Sequence, residues 1–187
     1  MDLIDDSLPT LATRRLVLRK LEVDDADAMY AYLRDPRLTE FVSWEPHVSI
    51  EQTVLYLMTV ESAYRDLGLL EWGVTTRRGG RLIGTCGFTR VDRDHARAEL
   101  GYTIGRRFWG RGYATEAAEA VMRWGFESLE INRIEAQCAV GNAASERVLM
   151  KLGMTFEAQL AERVSIRGRF CDVRMFARLH RADERAG

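Results

Sequence analysis

The spacing of hydrophobic residues divides the first part of the chain into strand-like and helix-like segments. In residues 14–21, leucines alternate with charged residues, which predicts a strand with one buried face. The segments 24–34 and 49–66 have helical periodicity, and the N-cap candidates Asp24 and Ser49 stand at their starts. The chain is therefore expected to begin with one strand followed by two helices.

The middle of the chain predicts three successive strands. Residues 69–76 and 81–89 are rich in β-formers and flank the sequence RRGG, which is typical of a hairpin turn. Residues 97–105 alternate apolar and polar positions and form the third strand. The lone Gly101 within that strand indicates a bulge or a close approach of another backbone.

The last part of the chain predicts two further helices and three strands. A helix over 112–127 carries an alanine-rich apolar stripe, which favours close packing against a sheet. Residues 133–140 alternate as a strand, and Asn142 caps the helix that follows. A long hairpin then turns near Arg167-Gly168.

These elements give an α+β fold with a mostly antiparallel, seven-stranded mixed sheet and about four helices. The strands at 97–105 and 133–140 are separated by a helix, so a right-handed crossover makes them the one parallel pair. No linker, repeat or low-complexity tract interrupts the pattern. We therefore expect one domain over 1–187, with its core at about 10–180.

Composition narrows the functional classes. The chain has 187 residues, 47% of them hydrophobic and 29% charged, with a net charge of −1, which is typical of a globular protein and argues against a nucleic-acid binder. It has no apolar run of membrane-spanning length and no apolar signal-peptide core, so a cytoplasmic location is expected. Its three cysteines and three histidines are scattered, so no metal site is predicted.

The sequence RRFWGRGYATEAAEA, residues 106–120, raises a specific question about the helix that it begins. No Asp, Asn or Ser stands at the cap position, whereas Gly110 and Gly112 leave the backbone amides uncovered and Arg106, Arg107 and Arg111 add positive charge. This composition favours a phosphate or pyrophosphate site. The alternative is an ordinary glycine-rich turn with solvated arginines.

Longer-range motifs favour the phosphate interpretation. The segment from Arg107 to Gly112 fits the R/Q-x-x-G-x-G/A signature of the GNAT superfamily of acetyltransferases, and Asn142 to Gly153 resembles the family's N-x-x-S…K-x-G-F segment. Met154 replaces the usual Phe, a volume-conserving change. The sequences TRRLVLRKLEVDDADAMYAYL and FVSWEP are similar to the RimJ/RimL-type branch, which acetylates protein N-termini and other primary amines. The resemblance covers roughly 10–180.

The resemblance implies that acetyl-CoA is the cofactor and assigns residues to its parts. The strand at 97–105 would splay from the strand at 133–140, and the pantetheine arm would lie in that gap, paired with the first of the two strands. An amide of the same strand would polarise the thioester carbonyl, and the sulfur would lie near Asn142. The expected pantetheine residues are Tyr102, Thr103 and Ile104. The expected pyrophosphate residues are Arg107, Phe108, Trp109, Gly110, Arg111, Gly112, Tyr113 and Ala114.

The resemblance also implies two catalytic residues. Glu99 is the candidate base, acting through water, and Ser145 is the candidate donor of a hydrogen bond to the departing thiolate and a cofactor contact. Tyr102 and Tyr113 are alternative acids. The structural alternatives are an exposed strand residue for Glu99 and a first-turn serine that satisfies local backbone for Ser145.

The acceptor pocket is expected between the two early helices and the last hairpin. Trp44 could form its wall, with Glu45 or His47 attracting a cation, although packing is the alternative role of Trp44. The hairpin around 163–172 would form the opposite wall. Counting from the N-x-x-S serine, a carboxylate proposed as base in RimL-type enzymes falls at Val164, so that carboxylate is missing here.

The expected partners are acetyl-CoA and an amine acceptor. A peptide N-terminus is the preferred acceptor and a small molecule is the alternative, and no interaction with nucleic acid or a membrane is expected. A homodimer is compatible with the resemblance. Three rival interpretations share some of the motifs: an acetyltransferase of a small-molecule amine, a non-catalytic acyl-CoA-binding module, and an unrelated phosphate-binding domain.

Overall fold

The structure, a computed structural model, describes residues 8–180. It contains eight strands and four α-helices in that range. They are β1 (Leu11–Ala12), β2 (Leu16–Arg19), α1 (Ala26–Leu33), α2 (Ile50–Asp66), β3 (Leu70–Thr76), β4 (Leu82–Asp92), β5 (Arg97–Ile104), α3 (Tyr113–Ser128), β6 (Arg133–Ala139), α4 (Ala143–Lys151), β7 (Thr155–Ile166) and β8 (Arg169–Leu179).

All eight strands belong to one sheet in the order β1-β2-β3-β4-β5-β6-β8-β7. Every neighbouring pair is antiparallel except β5 and β6, which confirms the predicted mixed sheet and its single parallel step. The sheet has one strand more than the seven predicted. The additional strand, β1, has two residues, too few for an alternating pattern to show in the sequence.

The helix starts agree with prediction at two of three N-cap candidates. Ser49 and Asn142 each accept a hydrogen bond from the amide three residues further on. The prediction of Asp24 as an N-cap was wrong, because a 3-10 turn precedes α1. Glu22 and Asp25 form a reciprocal capping box around that turn, so the N-cap residue of α1 is Asp25, one position after the predicted Asp24.

The helices cover both faces of the sheet. Helices α3 and α4 pack on the face that carries Trp72 and Leu100, and the predicted alanine stripe of α3 is fully buried there at Ala117 and Ala118. Helices α1 and α2 form a second core on the opposite face, around Leu57. Within the described residues, no helix is both long and apolar enough to span a membrane.

The irregularity predicted at Gly101 lies in the partner strand β4, opposite Glu99 and Leu100, whereas Gly101 itself pairs regularly with Gly87. Phe88 pairs with Leu100 and Arg90 pairs with Glu99, so Thr89 is the additional residue of β4. A Cβ atom at position 101 would lie 2.7 Å from the Thr89 methyl group. A side chain at position 101 would therefore require the Thr89 side chain to shift from its place over β5.

Candidate active site

The central feature of the site is a gap between β5 and β6. The two strands pair only from Arg97 to Glu99 against 133–135, and beyond that point β6 remains paired with β8 alone. The gap opens into a cavity of about 590 Å³. At its closed end, Gln137 Nε2 donates a 2.8 Å hydrogen bond to Glu99 Oε1. The sheet therefore provides a slot with unpaired backbone on either side.

The glycine-rich turn lies between β5 and the start of α3. Gly112 is the N-cap residue, and no side chain caps the amides at this helix end. Gly110 and Gly112 have φ values of +73° and +75°, a conformation that favours glycine over other residues. Of the three arginines here, Arg106 binds the Asp35 carboxylate at 2.6 Å and holds its pKa below the usual range.

Arg15 and Glu116 form an ion pair, not predicted from the sequence, that holds the glycine-rich turn in place. The Arg15 guanidinium donates to the backbone oxygen of Arg111 at 2.9 Å and lies 4.7 Å from the centre of the Tyr113 ring. Glu116 in turn accepts hydrogen bonds from the Arg15 side chain, the Arg15 amide and the Thr13 hydroxyl. The start of α3 is thus fixed to the β1–β2 turn by a partly buried ion pair. Arg15 and Glu116 are about 100 residues apart in the sequence, which is why periodicity alone missed them.

Three predicted residues meet where the gap faces α4. Asn142 Oδ1 accepts a hydrogen bond from the Ser145 amide at 3.1 Å, and the Ser145 and Tyr102 hydroxyls lie 2.8 Å apart. All three residues line the cavity. Burial raises the pKa of Tyr102, although the hydrogen bond with Ser145 opposes the shift, so the phenol is protonated at neutral pH. The pair therefore carries hydroxyl hydrogens that can be donated in hydrogen bonds at the cavity.

The acceptor side of the cavity contains only part of the predicted set. Trp44 lines the cavity and also packs against the second core. Glu45 lies outside the lining and is exposed, with its carboxylate 4.0 Å from Arg167 at the tip of the β7–β8 hairpin. Val164 from that hairpin contributes an apolar wall. Arg167 also donates to the Thr39 hydroxyl at 2.6 Å, which fixes the hairpin to the α1–α2 loop.

Glu71 on β3 is a cavity residue that the sequence did not identify. The strand alternates Leu70, Trp72 and Val74 with Glu71, which reads as an ordinary solvent-facing position, but α2 covers that face. Burial raises the pKa of the Glu71 carboxyl, and hydrogen bonds with Thr85 and Tyr56 lower it in part.

The cavity is acidic. Among the described residues that line it, the charged side chains are Glu71 and Glu99, and no Lys, Arg or His is present. Such a wall attracts cations and repels anions. No group of three or more His, Cys, Asp or Glu side chains within 8–180 could hold a metal ion.

Comparison with known proteins places the chain in a family. The family described as an acetyltransferase (GNAT) domain matches residues 15–155. The chain is 35% identical over 174 residues to an uncharacterized N-acetyltransferase, p20, of Bacillus licheniformis, covering 93% of this chain and 98% of that protein. It is 29% identical over 98 residues to the ribosomal-protein-serine acetyltransferase of Escherichia coli, covering 52% and 55% of the two chains.

The fold comparison agrees. The solved structure of RimL, a ribosomal L7/L12 α-N-protein acetyltransferase in complex with coenzyme A, superposes with a TM-score of 0.81 at 21% identity, covering 91% of this chain and 98% of that one. The chain belongs to the GNAT acetyltransferase family, and proteins named as ribosomal-protein acetyltransferases are among those that it resembles. It is an N-acetyltransferase that uses acetyl-CoA, and the uncapped amides beside the open gap fit a pyrophosphate and its attached arm.

Proposed function

We propose that the protein acetylates a primary amine that enters the cavity as a cation, with a protein N-terminal α-amine as the first candidate. The observation that supports this most strongly is the lining of the cavity, whose two charged side chains, Glu71 and Glu99, are both acidic. An ammonium group is attracted to such a wall, whereas an anionic acceptor is repelled. The relative named as a ribosomal-protein-serine acetyltransferase supports a protein acceptor.

We assign the cofactor contacts from the position of the turn and the gap. Uncapped amides at the start of α3 suit a pyrophosphate, and the unpaired backbone of β5 suits the amides of a pantetheine arm. The proposed cofactor residues are Tyr102, Thr103, Ile104, Arg107, Phe108, Trp109, Gly110, Arg111, Gly112, Tyr113, Ala114, Asn142 and Ser145.

The chemistry requires that the acceptor nitrogen lose two protons while the sulfur gains one. The C–N bond forms as the C–S bond breaks, so one proton reaches the sulfur and one reaches solvent. We propose that Glu99 receives a proton from the amine through water and that Ser145, hydrogen-bonded to Tyr102, supplies the proton at the sulfur. Bound acetyl-CoA supplies the acetyl group as an activated thioester.

We assign the acceptor contacts from the positions of Trp44 and Glu45 relative to the cavity. Trp44 would pack against the acceptor inside the cavity, and Glu45 would attract it from outside, near Arg167. We also infer that the chain is one domain, because a single sheet contains strands from Leu11 to Leu179. The cytoplasmic location expected from the sequence stays a prediction. The homodimer expected from the resemblance stays a prediction.

An acceptor screen tests the proposal. Thiol release from acetyl-CoA would be measured with Ala-, Ser- and Met-terminated peptides, then with polyamines, amino sugars and amino acids, and each product would be identified by mass spectrometry. Glu99→Gln removes the proposed base and is measured in the same screen. Glu127→Gln, an exposed change on α3, serves as its matched control. Acetylation of peptide α-amines supports the proposal. Acetylation of small amines alone would show that the protein is an acetyltransferase of small-molecule amines. Binding of acetyl-CoA without turnover of any amine would identify a non-catalytic module.

A further inference from the structure

We propose that Glu71 binds a second cationic group of the acceptor, distinct from the amine that is acetylated. The proposal rests on the proposed function, since it assumes that amines occupy the cavity. It makes the enzyme selective for acceptors with two positive charges, such as a diamine or a peptide whose α-amine is followed by a Lys side chain.

The position of Glu71 separates it from the reacting end of the cavity. In the sheet register, Glu71 lies opposite Gly87, and Gly87 lies opposite Gly101 on β5. Neighbouring strands are about 4.8 Å apart, so roughly 10 Å separates β3 from β5. Gly87 and Gly101 contribute no side chain to this register row, and both line the same cavity as Glu71. The Thr89 side chain, which lies over Gly101, is the neighbouring group on this path.

The two carboxylates are held by different partners: Glu99 by Gln137 on β6, and Glu71 by Tyr56 on α2 and Thr85 on β4. Glu99 is two residues from Gly101 along β5, which adds about 6.6 Å along the strand and gives a Cα separation from Glu71 of roughly 12 Å. Glu99 lies at the closed end of the gap, where Gln137 holds it. If Glu99 serves the attacking amine, Glu71 faces a different part of the acceptor.

Among the residues that the structure describes, Glu71 also lacks the counter-ion that similar carboxylates have. Within residues 8–180, no ion pair involves Glu71, and its hydroxyl partners include Tyr56 at 3.5 Å. Other partly or fully buried carboxylates bind arginines: Asp25 binds Arg19, and Glu116 binds Arg15. An uncompensated carboxylate in a covered site is costly, and a cation supplied by the acceptor offsets that cost.

Matched acceptor pairs test the proposal. One arm compares 1,5-diaminopentane with 1-aminopentane, and the other compares a peptide beginning Ala-Lys with one beginning Ala-norleucine; each pair differs by one positive charge. Initial rates would be measured for the wild type, Glu71→Gln and the surface control Glu127→Gln. We expect the wild type and the control to prefer the dication in at least one arm by about tenfold in kcat/KM. The preferred arm identifies the source of the cation.

The expected result for Glu71→Gln is a higher KM for the dication alone. In Glu71→Gln, the KM for acetyl-CoA and the pH dependence of kcat should be unchanged. Glu71→Asp should recover part of the preference for the dication because it keeps the charge. Equal rates within both pairs for the wild type overturn the proposal. A loss of kcat with both members of a pair overturns it too, because that result makes Glu71 the base.

Binding calorimetry without acetyl-CoA separates this proposal from the proposed function. Heat from 1,5-diaminopentane that Glu71→Gln abolishes, in a protein that acetylates no amine, supports the cation site and overturns the amine acetyltransferase. Acetylation of amines with no difference between the wild type and Glu71→Gln, in rate or in heat, overturns the cation site alone.

Discussion

The hydroxyl of Tyr102 lies 2.8 Å from Ser145 Oγ, so a strand and a helix are joined by their side chains across the mouth of the gap. Tyr102 belongs to β5 and Ser145 to the first turn of α4, where the Asn142 cap fixes the serine amide. The contact orients the serine hydroxyl without satisfying both of its hydrogen-bonding roles, since a hydroxyl can donate and accept at once. The proposed proton transfer to the sulfur uses this pair as a relay.

This pair gives the first prediction. Ser145→Ala removes the proposed proton donor, so kcat should fall about 100-fold while the dissociation constant of acetyl-CoA changes little. Steady-state rates and calorimetry check the two parts. Ser62→Ala, whose hydroxyl binds Asp66 on the surface of α2, should leave both unchanged.

Tyr102→Phe extends the test to the second member of the pair. If the two hydroxyls act as one relay, the double variant should lose little more than the more affected single variant, as coupled residues do. Independent, multiplying losses would show that they act separately. A normal kcat in Ser145→Ala would remove Ser145 from the mechanism.

The parts of the fold that repeat locally could be predicted from the sequence, and the parts that depend on distant contacts could not. The parallel step and the uncapped start of α3 follow from periodicity and from the absence of a cap residue at Gly112. The Arg15–Glu116 pair joins residues 101 positions apart, and no local signal announces it. Glu71 was missed for a related reason: alternation in β3 predicts an outward position, and only the packing of α2 turns that face into a cavity wall.

The glycine turn gives a second prediction. Gly112→Glu should lower acetyl-CoA affinity by at least tenfold, because it puts bulk and negative charge where we place the pyrophosphate. Gly79→Glu is the matched control, since Gly79 has a φ of +90° in a turn with open space around it. Both changes impose backbone strain of about 1 kcal/mol, so stability alone cannot distinguish them. Equal affinities in the two variants would show that the pyrophosphate binds elsewhere.

The ion pair beneath that turn gives a third prediction. Glu116→Gln should lower the free energy of unfolding by about 1.5 kcal/mol at pH 7, because it weakens hydrogen bonds to a charged, partly buried group. Burial would raise the pKa of Glu116, but the hydrogen bonds from Thr13 and Arg15 outweigh it and the pKa is lowered. Urea unfolding across a range of pH would measure the effect, with Glu119→Gln on the exposed side of α3 as the control.

The sign of the pH dependence follows from that lowered pKa. The stabilisation from Glu116 is present above the ordinary value of 4.5 and is lost as the pH falls through the lower value of the folded state. The difference between the wild type and Glu116→Gln should therefore shrink on acidification. A difference that stays constant down to pH 2 would show that the carboxylate charge does not matter.

Glu71 gives a fourth prediction, of the opposite sign. Burial raises the pKa of its carboxyl, so the folded protein holds this proton more tightly than the unfolded chain does. The contribution to stability is then present at low pH and is lost as the pH rises through the folded value. Four titratable groups interact electrostatically with Glu71: Tyr32, Tyr56, Tyr64 and Cys86. Burial raises the pKa of each, so all four are protonated at neutral pH.

Glu71→Gln should therefore raise the Tm at pH 8, and the gain should vanish near pH 4, where the wild-type carboxyl is also neutral. Thermal unfolding at several pH values would measure this, and Glu127→Gln should show no such gain. A variant that is more stable but binds dicationic acceptors less well fits a carboxylate kept for binding, because residues retained for function often cost stability. A lower Tm at pH 8 would mean that Glu71 stabilises the fold, and that its hydrogen bonds to Tyr56 and Thr85 outweigh the cost of its burial.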